Sequence, residues 1–166
     1  MTAGVTAAAI RPVSGTPFGS VLVANRGEVA VRIMATLRRL GIRAVAVYTD
    51  TDRDAPHVAA ADVAHRVVGY LDLDAILSAA RAGRADAVHP GYGFLAESPY
   101  LARACVAAGV VLIGPGADTL AALGDKLRAK QHAEAAGVAV IPGMACAGLD
   151  DGEIAAAAGT LGYPVV

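Results

Sequence analysis

Tryptophan is absent from the 166 residues and phenylalanine occurs only twice. Bulky rings therefore cannot fill the interior. With 39 alanines in a chain that is 55% hydrophobic, the core must come from Val, Leu and Ile, which suits helices laid on a sheet. Cysteine is nearly missing too. Cys105 and Cys146 stand far apart with no CxxC spacing and no histidine companion, so neither a disulfide framework nor a zinc site is indicated, and a reducing cytoplasm fits. Cys105, on an alanine-rich segment, reads as a small core residue. An excess of one charge is lacking as well: 14 Lys+Arg face 15 Asp+Glu, a net charge of -1. That balance excludes the electrostatic footprint of a nucleic-acid or anionic-membrane partner. No run reaches the roughly 18 apolar residues of a membrane-spanning helix. Lysine is scarce, with twelve of the fourteen basic residues Arg and only Lys126 and Lys130 carrying a primary amine. His57, His65, His89 and His132 share no metal-ligand spacing. Nothing points to a metal centre or to catalytic residues.

Residues 1–19 read as a disordered tail, a transit or signal segment being the alternative; the apolar patch Val5 to Ile10 has no basic start before it. From Ser20 the pattern becomes regular. SVLVA reads as a buried strand, Asn25-Arg26-Gly27-Glu28 as a tight turn, and Val29, Ile33, Leu37 and Leu40 fall at helical spacing. Asn25 is expected to cap that helix. Gly41 is expected to end it in the left-handed region, before the strand RAVAVY at 43–48. A short helix over 56–61 and a third strand over 63–68 follow. Asp72 or Asp74 caps a helix to about Ala82, ADAVH at 85–89 is a strand, Pro99 opens a helix to Ala108, and 110–113 is the next strand. This βαβαβ alternation predicts an α/β, Rossmann-like parallel sheet with helices on both faces, and ligands beyond the carboxyl ends of the strands.

After Gly114-Pro115-Gly116 the character changes to helices at 118–123 and 125–136, an apolar stretch at 138–141 and a helix at 151–161, read as a connector. The final Val165-Val166 reads as the start of a truncated strand. Leu120, Leu123, Val138, Val140 and Ile141 are expected to lie exposed there.

Three segments invite a chemical reading. The turn after Ala24 has Gly27 alone and so fails the GxGxxG dinucleotide fingerprint. His89-Pro90-Gly91-Tyr92-Gly93-Phe94-Leu95-Ala96-Glu97 sits at a strand's carboxyl end, with two glycines that allow close backbone approach to a ligand. It is either a binding site or a tight turn whose Phe94 and Leu95 plug the core. Gly124-Asp125-Lys126 places a lysine at a helix start, where an anion is also favoured; Lys126 is a phosphate ligand or a solvated surface residue.

Taken in order, VLVANRGEVAVRI, AVAVYTDTDRDAPHVAAADVAHRV, YLDLDAIL, ADAVHPGYGFLAES, IGPGADTLAALGDK, AGVAVIPG and LGYPVV closely resemble the amino-terminal part of biotin carboxylases. The resemblance runs from about Ser20 to Val166. It implies a pre-ATP-grasp domain over 20–114, then connector helices and the start of an ATP-grasp region over 115–166. It also implies an enzyme that uses ATP, biotin and Mg to carboxylate biotin on a carrier protein with bicarbonate. Lys126 would then touch ATP phosphate, Tyr92 and Gly93 would line the biotin end of the site with Glu97 near it, and Arg32 would join a dimer interface. The partners implied are the remaining biotin carboxylase domains and the biotin carboxyl carrier protein, in a homodimer. The family's glycine-rich lid, second lysine and metal-binding carboxylates lie further on, so this chain alone is expected to bind none of these cofactors and to be inactive. Rival readings are a stand-alone module that binds or regulates a carboxylase, and a fragment of another ATP-grasp ligase such as carbamoyl-phosphate synthetase. Between Val67 and Tyr70 only Val68 and Gly69 intervene, where the family carries several more residues, which bears on the packing of the third strand.

Overall fold

The computed structural model describes residues 17–165 and divides into two compact units, residues 1–121 and 122–166. The tail reading falls almost wholly on residues 1–16, which lie outside the described residues. In the first unit five strands form one sheet: β1 (Ser20–Val23), β2 (Arg43–Tyr48), β3 (Val63–Arg66), β4 (Ala87–His89) and β5 (Val111–Leu112). All neighbours run parallel, in the order β3-β2-β1-β4-β5. The chain thus builds outward from β1 to β3, then returns and builds outward on the other side.

Period-two alternation decides which residues meet which helices. Leu22, Val45, Val47 and Val88 point to the layer of α3 (Leu73–Ala82) and α4 (Pro99–Ala107), where Ile76, Leu101 and Cys105 are buried with them. Val21, Val23, Ala44 and Ala46 point to the layer of α1 (Gly27–Leu40) and α2 (Pro56–Ala60), against Ala30, Met34 and Leu37. On β2 the face toward α1 and α2 carries the small Ala44 and Ala46, and the opposite face the branched Val45 and Val47. Helix boundaries follow their local chemistry. Asp72 accepts from the N–H of Ala75, Ser98 accepts from the N–H of Leu101 ahead of Pro99, and Gly41 caps α1 at φ 72°.

The short link at Val68-Gly69 leaves the third strand intact. Val63 to Arg66 pair with Val45 to Tyr48, and Val67 and Tyr70 both enter the core. Helix α5 (Ala117–Leu123) follows β5, and Leu120 is buried, contrary to the sequence expectation. The second unit holds α6 (Lys126–Ala135) and α7 (Asp151–Leu161), neither of which buries a residue. Asp150 and Glu153 form a reciprocal capping box at the start of α7. Leu123, Val138 and Ile141 are exposed as expected, Val140 is half-buried instead, and 138–141 is irregular.

Candidate functional site

In a doubly wound sheet the order reverses between β1 and β4, so the loops leaving their carboxyl ends diverge and open a crevice there. The loop after β1 is Ala24 to Arg26; the loop after β4 is Pro90 to Ser98. Asn25 binds them together. Its side chain is 2% exposed, its Nδ2 donates to the carbonyl oxygens of Pro90 at 2.8 Å and Tyr92 at 2.9 Å, and its Oδ1 accepts from the N–H of Arg26 at 2.9 Å. The expected capping role is therefore corrected. Arg26 is the residue at the cap of α1 and supplies no side-chain cap. Buried loop carbonyls need donors, and Asn25 meets that long-range demand instead of the local one.

The loop itself folds tightly, with positive φ at Gly91 (67°), Gly93 (69°) and the non-glycine Phe94 (47°). The N–H of Gly91 donates to Nδ1 of His89 at 3.0 Å, which leaves the proton of the neutral ring on Nε2. Burial holds the His89 pKa below its usual 6.5. The Tyr92 hydroxyl donates to Glu28 at 2.9 Å while its ring stays 68% exposed, and that hydrogen bond to a carboxylate pushes the phenol pKa up. Gly93 faces open space. Leu95 is buried, whereas Phe94 is 44% exposed. The two readings of the loop thus divide along its length: Leu95 plugs the core, and Tyr92-Gly93 presents an open, flat surface.

Beneath this loop lies a cluster that local sequence signals did not reveal. Asp52, on the 3-10 turn Asp50–Asp52, is buried at 5% exposure. It accepts from Tyr70 Oη at 2.9 Å, Thr49 Oγ1 at 3.0 Å and Arg26 Nη2 at 2.5 Å. Burial pushes its carboxyl pKa up, but the hydrogen bonds from Tyr70 and Thr49 and the Arg26 charge outweigh it and leave Asp52 below its ordinary value. Tyr70 is pushed up to about 12 by burial and by that same carboxylate. The only signal for this cluster was TDTDRD itself, whose polar turn at a strand's carboxyl end fits a fold that gathers such ends.

These titrations all favour neutral pH. Asp52 binds its proton less readily folded than unfolded, so its contribution is complete above about pH 4 and is lost as pH falls through the native value. Asp50, lowered to about 2 by its hydrogen bond from Arg66, contributes fully above about pH 4 and loses that contribution as pH falls from there to about 2. His89 resists protonation in the fold, so stability also falls as pH drops below 6.5. Thermal melts followed by circular dichroism should fall in two stages, below pH 6.5 and again below about pH 4. Asp52→Asn should flatten part of the lower stage. A melting temperature constant from pH 7 to 5 would refute the His89 assignment.

The other sequence-derived residues are placed as follows. Glu97 is exposed just before the cap of α4. Arg32 is exposed on α1 and, with Glu28 and Tyr92, lines a groove of about 680 Å³ whose apolar walls include Phe18, Ile33 and Ile113. Lys126 is exposed and is the first residue of α6, in the second unit. Asp125 caps that helix by accepting from the N–H of Arg128. An anion at the start of that helix would meet the Asp125 carboxylate. Among the described residues no group of three or more His, Cys, Asp or Glu could hold a metal ion, and no helix is long and apolar enough to cross a membrane. The β1/β4 crevice presents an exposed aromatic ring at Tyr92, open space at Gly93 and a backbone held by Asn25.

Residues 17–120 match the model of the family described as biotin carboxylase, N-terminal domain. The chain is 45% identical over 156 residues to biotin carboxylase 2 of Bacillus subtilis, covering 90% of this chain and 35% of that protein. It is 44% identical over 155 residues to the biotin carboxylase of Halalkalibacterium halodurans, covering 90% and 34%. Among solved structures, the biotin carboxylase domain dimer of Hydrogenobacter thermophilus 2-oxoglutarate carboxylase, in complex with MgADP, ADP and bicarbonate, superposes with a TM-score of 0.81. That match has 40% identity and covers 89% of this chain and 34% of that one. The biotin carboxylase domain of a single-chain bacterial carboxylase gives 0.78 at 46% identity, covering 85% and 34%. The chain spans about a third of the length of these relatives.

Proposed function

The chain belongs to the biotin carboxylase amino-terminal domain family, and on that premise we propose that it forms one wall of an active site that carboxylates carrier-bound biotin with ATP and bicarbonate. The observation that carries this reading is the open Tyr92-Gly93 surface fixed by Asn25 at the sheet's switch point. A fused, planar ureido ring fits a flat aromatic face beside a residue with no side chain. Tyr92 and Gly93 would line the biotin end, Glu97 would stand near it, and Lys126 would contact an ATP phosphate through its amine. ATP supplies the phosphoryl group that activates bicarbonate; the residues here bind and orient. Stabilising charge on a transferring phosphoryl group takes several cations acting together, and this chain offers one lysine to that task.

The partners in this reading are the remaining biotin carboxylase domains and a biotin carboxyl carrier protein, in the cytoplasm. Arg32, exposed beside the apolar groove along α1, would sit in a homodimer interface. Alone, the chain is expected to show no bicarbonate-dependent ATP hydrolysis and no fixation of labelled bicarbonate onto free biotin. Phosphate release well above that of Lys126→Ala would contradict this. A chimera in which the chain replaces the matching third of Bacillus subtilis biotin carboxylase 2 should be active and should lose biotin carboxylation with Tyr92→Ala. An inactive but folded chimera would refute the functional reading.

A further inference from the structure

We propose that Asp52, Tyr70 and Phe94 form a positioning relay that sets the shape of the 90–94 loop, and through it Tyr92 and Gly93, without any of the three touching the ligand. The inference rests on the reading of that loop as the biotin-facing surface and names the residues that hold it in a binding geometry.

The loop is fixed at one end by Asn25, which holds the carbonyls of Pro90 and Tyr92. Its other end has no comparable bond from β1. There the chain passes through Phe94 at φ 47°, a region that a side chain with a Cβ enters at a cost and keeps only when its surroundings impose it. What imposes it is the ring of Tyr70, whose centroid lies 5.1 Å from that of Phe94 with the planes 35° apart. Tyr70 follows the shortened link at Val68-Gly69, and two contacts orient its ring. Its hydroxyl donates to buried Asp52 at 2.9 Å, and the Arg26 guanidinium stands 5.9 Å from the ring centroid while pairing with the same carboxylate. Asp52 in turn is fixed by Thr49. The carboxylate thus joins the ends of β1 and β2 and, through Tyr70 and Phe94, reaches the loop after β4. The loop then turns back at once, with the N–H of Ala96 donating to the carbonyl of Gly93 at 2.9 Å. Displacement of the Phe94 ring would therefore be passed to Gly93.

The relay is tested with Tyr70→Phe, which keeps the ring and removes its hydroxyl, and Asp52→Asn, which keeps the shape and removes the charge. Amide exchange in this chain should accelerate at least tenfold at Ala96, whose N–H is bonded to the Gly93 carbonyl, in both variants, with β1 amides changed less than twofold. Phe94 ring-proton resonances should move toward their unstacked positions. In the chimeric enzyme both variants should raise KM for free biotin at least fivefold and leave kcat within twofold, a split that general loss of folded protein does not give. If Tyr70→Phe does not fold, Asp52→Asn alone decides. Unchanged loop exchange and unchanged Phe94 resonances in a folded variant overturn the relay. An inactive wild-type chimera instead removes the biotin reading, and the exchange data still decide whether the relay exists.

Discussion

Gly91→Ala should destabilise the amino-terminal unit by about 2–4 kcal/mol. A Cβ at this position would lie 2.7 Å from Asn25 Nδ2 and 2.9 Å from Val29 Cγ1. Neither neighbour can retreat cheaply: Asn25 is committed to two loop carbonyls and Val29 sits on α1 directly after the turn. To that crowding is added the left-handed backbone, φ 67°, which costs an L side chain about 1–2 kcal/mol. Gly93→Ala is the internal control. It shares the positive φ but would meet nothing within 4 Å, so its loss should be only about 1 kcal/mol. Denaturant midpoints of the two variants separate the steric part from the backbone part, and equal losses would show that the Asn25 contact does not constrain Gly91.

Asn25→Asp changes one atom and should cost about 3–5 kcal/mol at neutral pH. The replaced Nδ2 donates to two carbonyl oxygens in a site only 2% exposed. A carboxylate there loses both bonds and faces two partial negative charges. Burial and repulsion raise the pKa of the introduced acid, so the native state holds a proton that the unfolded chain releases above about pH 4. The penalty therefore grows as pH rises from there through the native pKa and shrinks toward acid. Urea unfolding of the variant and the parent at pH 5 and pH 7.5 measures this, taken as the difference between the two proteins because the parent itself loses stability in acid. A difference that is the same at both pH values would mean that the side chain escapes to solvent.

These variants mark where the sequence was informative. Signals decided within four residues were legible: Asp72 or Asp74 as a cap, of which the fold uses Asp72, Pro99 as a first-turn proline, Gly41 as a left-handed stop, and the apolar runs SVLV and RAVAVY as buried strands. Strand edges were less so, because pairing partners set them. The reading at 85–89 shortened to Ala87–His89, and Asp86 just before it accepts from the N–H groups of Gly19 and Ser20 through its carboxylate. The loop HPGYG was recognisable by its glycines, and the family by its motifs in order. Asn25 was misjudged and Asp52 overlooked for one physical reason: Asn25 bonds the Pro90 carbonyl 65 residues on, and Asp52, beyond its local bond from Thr49, is held by Arg26 and Tyr70 at 26 and 18 residues, separations that no local propensity reports.

The central position of β1 has a consequence for synthesis. One of its edges pairs with β2 about twenty residues later, but the other waits for Ala87 to His89. A nascent chain that has released α1, β2 and β3 from the ribosome still carries an open, largely apolar edge along Ser20 to Val23, the kind of edge that recruits foreign strands. Closing it is the same event that brings Asn25 to Pro90 and Tyr92. Protection of the growing polypeptide from aggregation and assembly of the crevice are therefore a single late step.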